Sequence, residues 1–352
     1  MISQIDKNFK IETKIAKSDI KFYNVRLAPI EVNGIFHEDG KFRRMPEPIA
    51  RSVSDGVHWL HSNTAGGRAR FVTDSPYVAI HAKMANLGKM PHFALAGSAG
   101  FDLYIKGKSE KYVNTFVPPY EMSDGYESVI ELGKRQKREL VINFPLYSDV
   151  VELYIGISDT ATLEAPSPYE IEKPIVYYGS SITQGGCASR PGCSYQAIIS
   201  RAFNADYINL GFSGNAKAED EMAEYVCTLD MSAFVYDYDH NAPSIEHLEA
   251  THEKMFKRVR SAFPNLPIIL MSRPKYTLTP DERTRLKIIK HTYENALANG
   301  DENVYFIDGR TLMSLCKDEG TVDNCHPTDL GFFSMAQALK KVLKAIYSKE
   351  TK

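Results

Sequence analysis

The chain has 352 residues, a formal net charge of −2, and 43% apolar and 24% charged residues, an ordinary globular composition. At roughly 150 residues per domain, this length predicts about two domains, each able to bury a core. The charge balance excludes a basic nucleic-acid footprint over the whole molecule, and nothing is collagenous, low-complexity or compositionally disordered.

Lys7, Lys10, Lys14, Lys17 and Lys21 interrupt every apolar stretch near the N-terminus, so no signal-peptide core is expected. No run approaches the roughly 18 apolar residues of a membrane span. The chain as given reads as soluble and cytoplasmic, or as secreted or periplasmic if a leader was removed. Neither nucleic acid nor membrane is expected as a partner. Cys187, Cys193, Cys227, Cys316 and Cys325 form no C-x-x-C pair, and their odd number excludes a complete disulfide scaffold. Cys187 and Cys193 are close enough in sequence to bridge, but reduced thiols are the expectation.

Residues 1–165 read as β structure. Short β-branched and aromatic runs at 77–82, 101–105, 128–132, 139–144 and 150–157 are separated by turn residues. Residues 133–138 join two of these runs as an expected hairpin, whose basic residues (Lys134, Arg135, Lys137, Arg138) read as a solvated turn. Many short strands with Gly and Pro punctuation predict a β-sandwich. Trp59, the single Trp, reads by default as a buried aromatic, with stacking on a sugar as the alternative. Residues 159–174, with Pro166, Pro168 and Pro174, read as the linker.

Residues 170–352 follow a different grammar. Strands are predicted at 175–178, 207–210, 233–236, 268–271 and 304–307. Helices are predicted at 194–203, near 218–227, and at 245–263, 280–298 and 330–347. His252 falls on an apolar helix face and reads as a packing residue. This alternation predicts a parallel sheet covered on both faces, with ligands bound at the carboxyl ends of its strands.

The segments after those strands carry the chemistry. Gly179-Ser180-Ser181-Ile182 follows the first strand, and Gly211-Phe212-Ser213-Gly214 the second. Asp237-Tyr238-Asp239-His240-Asn241-Ala242 follows the third, and Asp323-Asn324-Cys325-His326 precedes the last helix. Ester hydrolysis uses such parts. A serine hydroxyl needs a base, histidine supplies one near neutral pH, and a carboxylate fixes the imidazole tautomer. Backbone amides and an amide side chain can hold the oxyanion. No G-x-S-x-G elbow occurs, which argues against an ordinary α/β-hydrolase.

These blocks resemble the GDSL/SGNH hydrolases, whose signature runs from G-D-S-[LI] through a Gly block and G-x-N-D to a late D-x-x-H. The resemblance implies a flavodoxin-like α/β/α catalytic domain in which Ser181 is the nucleophile, His326 the base and Asp323 its orienting carboxylate. It implies an oxyanion hole formed by the amides of Ser181 and Gly214 and the side chain of Asn241. Ser180 stands where the family has Asp, and Asp239-His240-Asn241-Ala242 replaces G-x-N-D. Gly100-Phe101-Asp102-Leu103-Tyr104 looks like the G-x-D-L-Y motif of N-terminal domains joined to a subset of SGNH esterases. The resemblance thus implies a carboxylester hydrolase with neither metal nor cofactor, acting on a small-molecule or carbohydrate ester, with acetyl the preferred acyl group.

Residues 63–68 and 100–104 are candidates for the substrate rim, and Arg190 is expected either at an anionic or hydroxylated substrate or exposed to solvent. Two rival readings are a metal-dependent transferase built on Asp237, Asp239 and His240, and a non-catalytic carbohydrate-binding protein. The bland reading of the first cluster is a turn that presents Asn241.

Overall fold

The structure is a computed structural model that describes residues 11–107 and 110–350. Its second half is built on five parallel strands in the spatial order Ala205–Gly211, Ile171–Gly179, Ala233–Asp237, Ile268–Met271, Val304–Ile307. The chain starts at Ile171–Gly179, steps to one side, then crosses back to continue on the other. This reversal opens a crevice at the carboxyl ends of Ile171–Gly179 and Ala233–Asp237, where open α/β sheets bind their ligands.

Both faces of the sheet are buried, and side chains alternate between them. Val176, Tyr178, Phe234, Ile268 and Leu270 pack on one face under the helices Ile245–Ala262 and Pro280–Ala298. Ile175, Tyr177, Val235, Ile269 and Met271 pack on the other under Tyr195–Phe203 and Asp329–Glu350. The predicted strands 268–271 and 304–307 and the helix 280–298 are found to the residue. A reciprocal cap fixes the start of that helix. Thr279 Oγ1 accepts from the Glu282 amide at 3.3 Å, and the Glu282 carboxylate accepts from the Thr279 amide at 2.8 Å.

The first half is a sandwich of two antiparallel sheets. One contains Ile20–Asn24, Asp149–Ser158, Tyr77–Ala85 and Gly125–Glu131. The other contains Leu163–Glu164, Arg68–Thr73, Arg138–Asn143, Phe101–Lys106 and Lys111–Phe116, with Glu31–Asn33 also on Arg68–Thr73. Val78, Ile80, Leu153 and Ile155 from the first sheet meet Phe71, Leu103, Leu140 and Ile142 from the second in one core.

The expected hairpin at 133–138 does not form. Gly125–Glu131 pairs with Tyr77–Ala85, whereas Arg138–Asn143 pairs with Arg68–Thr73 and Phe101–Lys106. The connection therefore crosses between sheets, because each strand finds its partner far along the chain. Three of its four cations have partners in the same half. Arg135 holds Asp74 at 2.8 Å, Lys137 holds Glu164 at 2.6 Å, and Arg138 donates to the carbonyls of Leu132 and Lys134.

Two short helices, Glu47–Val53 and Asp55–Leu60, interrupt the β grammar. Ser54 caps the second by accepting from the Val57 amide at 3.2 Å. Their buried residues Ala50, Val53 and Val57 join the core on one face of the parallel sheet, with Met222, Ala223 and Val226. Trp59, expected inside, is 64% exposed at the end of this pair.

The strand Ala205–Gly211 is an edge of the parallel sheet, and an edge leaves outward carbonyls unpaired. Two fully buried arginines of the first half cover it. Arg68 donates to Tyr207 O at 3.2 Å and lies over the Tyr207 ring. Arg44 donates to Asn209 O and Gly211 O and lies over Phe212. Burial pulls the Arg44 guanidinium down to about 9. No helix among the described residues is long and apolar enough to cross a membrane.

Candidate active site

Ile171–Gly179 ends where only glycine fits. A Cβ on Gly179 would lie 1.9 Å from Asp237 O and 2.2 Å from Thr183 Oγ1. Ser180 follows, fully buried, and caps the one-turn helix Ser181–Gln184 by accepting from the Ile182 amide at 3.2 Å. Ser181 opens that helix, so its own amide lies in the first turn and has no intrahelical acceptor. Gly185, at φ 113°, ends it. Tyr147 of the first half steadies the turn by donating to Ser181 O at 2.9 Å.

Asp323 and His326 stand in the loop before Asp329–Glu350. The Val322 amide donates to His326 O at 2.9 Å, closing the loop. Asp323 Oδ1 accepts the amides of Cys325 (3.1 Å) and His326 (2.7 Å), and Oδ2 lies 2.8 Å from His326 Nδ1. Because a carboxylate can only accept, Nδ1 carries the proton and Nε2 the lone pair. Nε2 lies 2.9 Å from Ser181 Oγ, so the hydroxyl donates to it. Partial burial pushes the Asp323 carboxyl up, but the amide and imidazole of His326 outweigh it and hold the group below the usual carboxylate range. Ser181, His326 and Asp323, more than 140 residues apart at the extremes, thus form one hydrogen-bonded chain.

The other two expected residues lie beside each other. Gly214 adopts φ 71° in a turn closed by the Asn215 amide on Phe212 O at 2.9 Å. Asn241 Nδ2 donates to the same Phe212 carbonyl at 2.8 Å. One of its two N–H groups is thereby used, and it ties the Gly214 turn to the 3-10 turn Asp239–Asn241. Gln184 joins this turn to the Ser181 helix, since its Oε1 accepts from the Ser213 amide at 3.0 Å. Gly211 permits the approach, as a Cβ there would meet Gln184 N at 2.1 Å.

The acidic cluster of the third block is divided. Asp237 is buried beside the Ser181 helix and accepts from Thr183 Oγ1 at 3.4 Å. Burial and the neighbouring Asp239 carboxylate push its carboxyl up to about 8. Asp239 is held by Arg273 (3.5 Å) and Arg285 (3.3 Å), whose positive charges oppose a cation there. His240 Nδ1 meets Cys325 Sγ at 3.6 Å instead of either carboxylate. His252 packs as expected, stacked on Tyr236 and bonded to Thr292 at 2.8 Å.

Arg190 is engaged by residues of the first half. Its guanidinium is bound by Asp102 Oδ2 at 2.9 Å and by Tyr104, and lies over the Tyr112 ring. Asp102 also accepts from the Gly192 amide at 2.8 Å and from Asn143 at 2.7 Å. The G-x-D-L-Y segment is therefore a buried anchor for the loop behind the nucleophile. The expected rim at 63–68 is buried too, with Asn63 accepting from Gln184 Nε2 at 3.0 Å. Their partners lie too far along the chain for a motif to reveal.

One neighbour of the site was missed. His92, from the first half, places its ring 5.6 Å from that of His326. It belongs to no motif, so no sequence signal points to it. Cys187 is buried beside this pair, and all five cysteines are free thiols.

Comparison with known proteins agrees with this layout. Residues 172–344 match the GDSL-like lipase/acylhydrolase family, and residues 20–163 match the N-terminus of SGNH-hydrolase-type esterases known as GxDLY. A GDSL-like lipase candidate from Bacteroides ovatus ATCC 8483 is 29% identical, with 94% of this chain and 98% of that one covered at a TM-score of 0.84. A salicylyl-acyltransferase from a tetracycline biosynthetic pathway shares the fold at 18% identity, covering 94% and 98%, with a TM-score of 0.75. An acetyl xylan esterase from the rumen bacterium Butyrivibrio proteoclasticus shares it at 14% identity, covering 94% and 99%, with a TM-score of 0.58. No curated protein matches the sequence. The chain belongs to the GDSL-like lipase/acylhydrolase family, as an SGNH-type esterase with a GxDLY N-terminal β domain.

Proposed function

We propose that the protein removes acetyl or another small acyl group from a carbohydrate or similar hydroxylated molecule, through an acyl-enzyme on Ser181. The observation that carries this is the unbroken hydrogen-bonded chain from Ser181 Oγ through His326 to Asp323. His326 Nε2 takes the hydroxyl proton as Oγ attacks the ester carbonyl, and Asp323 stabilises the resulting imidazolium. The amides of Ser181 and Gly214 and the second N–H of Asn241 hold the oxyanion, each donor typically worth about 2.7–4 kcal/mol. The imidazolium then protonates the leaving alcohol. Water, activated by the same imidazole, releases the acyl group and restores Ser181. The choice of acetyl is supported by the acetyl xylan esterase among the proteins of this fold.

The test is hydrolysis of a small acetyl ester by wild type and Ser181→Ala. We expect kcat to fall by about a millionfold in the variant. Equal rates would remove Ser181 from the chemistry. Hydrolysis of long-chain esters in preference to acetyl esters would overturn the acyl-group assignment alone.

A further inference from the structure

His92, Cys187 and His326 each place a potential ligand atom within 4.8 Å of the other two. They come from three separate stretches: the first half, the loop behind the nucleophile helix, and the last loop. The Cys187 thiol is free and buried, whereas His92 is exposed. The hydrolytic steps above use neither.

We propose that these three side chains bind a zinc-type transition-metal ion, and that occupancy switches the esterase off. Two imidazoles and a thiolate select zinc and softer ions over magnesium or calcium. Ligand atoms around a tetrahedral zinc lie about 3.5 Å apart. The outer bound of the present spacing exceeds that by about an ångström, and His92 is exposed.

The state of His326 is the second observation. Asp323 holds its Nδ1 proton at 2.8 Å, which leaves the lone pair on Nε2. A carboxylate on the far imidazole nitrogen is also the outer arrangement that orients metal-binding histidines. The lone pair that accepts the Ser181 proton is therefore the one a metal would take, and it cannot serve both. Binding forms one bond from the ion to Cys187 Sγ and one to each imidazole. It releases the thiol proton to solvent and breaks the Ser181–His326 hydrogen bond, with no change of oxidation state. The inhibitory half of this inference rests on His326 being the base. The binding half does not.

Zinc chloride is the probe, titrated in a non-chelating buffer against a chromogenic zinc indicator. The proteins are wild type, Ser181→Ala, His92→Ala and Cys187→Ser. Wild type and Ser181→Ala should bind one ion per chain. Wild-type hydrolysis of a small acetyl ester should fall in step with occupancy and return with chelator. His92→Ala and Cys187→Ser should hydrolyse the ester near the wild-type rate. Both should need about tenfold or more zinc for binding and for inhibition. Equal zinc affinity in all four proteins, or none in wild type, overturns the site. Full occupancy without loss of hydrolysis overturns the inhibition. Should no protein hydrolyse any ester, the esterase reading fails while the indicator titration still decides the site.

Discussion

Every side chain in the Ser181–His326–Asp323 chain comes from the α/β half, yet the turn that carries Ser181 and the loop after it are clamped from the β half. Within the α/β half, each site residue follows a strand end or precedes a helix, so local structure aims it. The β half acts at long range. Tyr147 holds the Ser181 carbonyl, Asn63 holds Gln184, Asp102 holds Arg190 and Gly192, and Arg44 and Arg68 cover the edge strand. One half supplies the chemistry, and the other removes the freedom of the loops that perform it. This division can be tested from both sides.

The largest effect should come from Asp323→Asn. The amide keeps the shape but cannot fix the imidazole tautomer, so kcat should fall about ten-thousandfold. Stability should change little, because Asp323 is partly exposed and its contacts lie within its own loop. Steady-state kinetics beside urea unfolding would show the two readouts separate. A large loss of stability would mean that the loop belongs to the clamp as well as to the chemistry.

Asp102→Ala attacks the other half. It leaves the half-buried Arg190 guanidinium, the Gly192 amide and the Asn143 amide without their buried acceptor. Breaking such a pair costs about 3 kcal/mol. Here stability should fall first, and activity only as far as residues 185–193 shift. A variant that unfolds like wild type would show the G-x-D-L-Y segment to be no clamp at all.

The two halves also differ in what their sequence discloses. In the α/β half, period and caps act within a few residues, so the helix Pro280–Ala298 and the strands Ile268–Met271 and Val304–Ile307 are legible to the residue. The hydrogen-bonded chain of Ser181, His326 and Asp323 is legible because its parts follow the strand order. In the β half, strand content is legible but pairing is not, since Gly125–Glu131 and Arg138–Asn143 are neighbours in sequence and lie in different sheets. The helices Glu47–Val53 and Asp55–Leu60 were hidden because their burial is against Met222 and Val226, far along the chain. The partner of Arg190 is hidden for the same reason, since Asp102 lies 88 positions earlier.

A smaller effect probes the sheet end beneath the nucleophile. Burial and Asp239 push the Asp237 carboxyl up to about 8, against 3.8 for the ordinary group. Below that ordinary value both folded and unfolded chains hold the proton, and its contribution is fully present. As pH rises towards 8 the unfolded chain releases the proton first, so native stability declines, and above about 8 nothing further is lost. Asp237→Asn does not titrate. Its stability relative to wild type should therefore climb between pH 4 and 8 in urea unfolding at several pH values. A flat difference would mean that the folded carboxyl is ionised throughout.

The smallest effect compares two caps of one kind. Ser180 Oγ accepts from the Ile182 amide at 3.2 Å, and Thr279 Oγ1 from the Glu282 amide at 3.3 Å. Removing either cap should cost about 1 kcal/mol of stability. Thr279 starts a long helix on one face of the sheet, and its cap partner is Glu282 rather than any of Ser181, His326 or Asp323, so Thr279→Ala should leave kcat unchanged. Ser180 fixes the turn that aims the Ser181 hydroxyl at His326. Small displacements of a nucleophile are costly, so Ser180→Ala should also lower kcat, by about tenfold, at unchanged KM. If both variants lose stability and neither loses kcat, the nucleophile helix is held in place by the β half through Tyr147 and Asn63, and its own cap serves the fold alone.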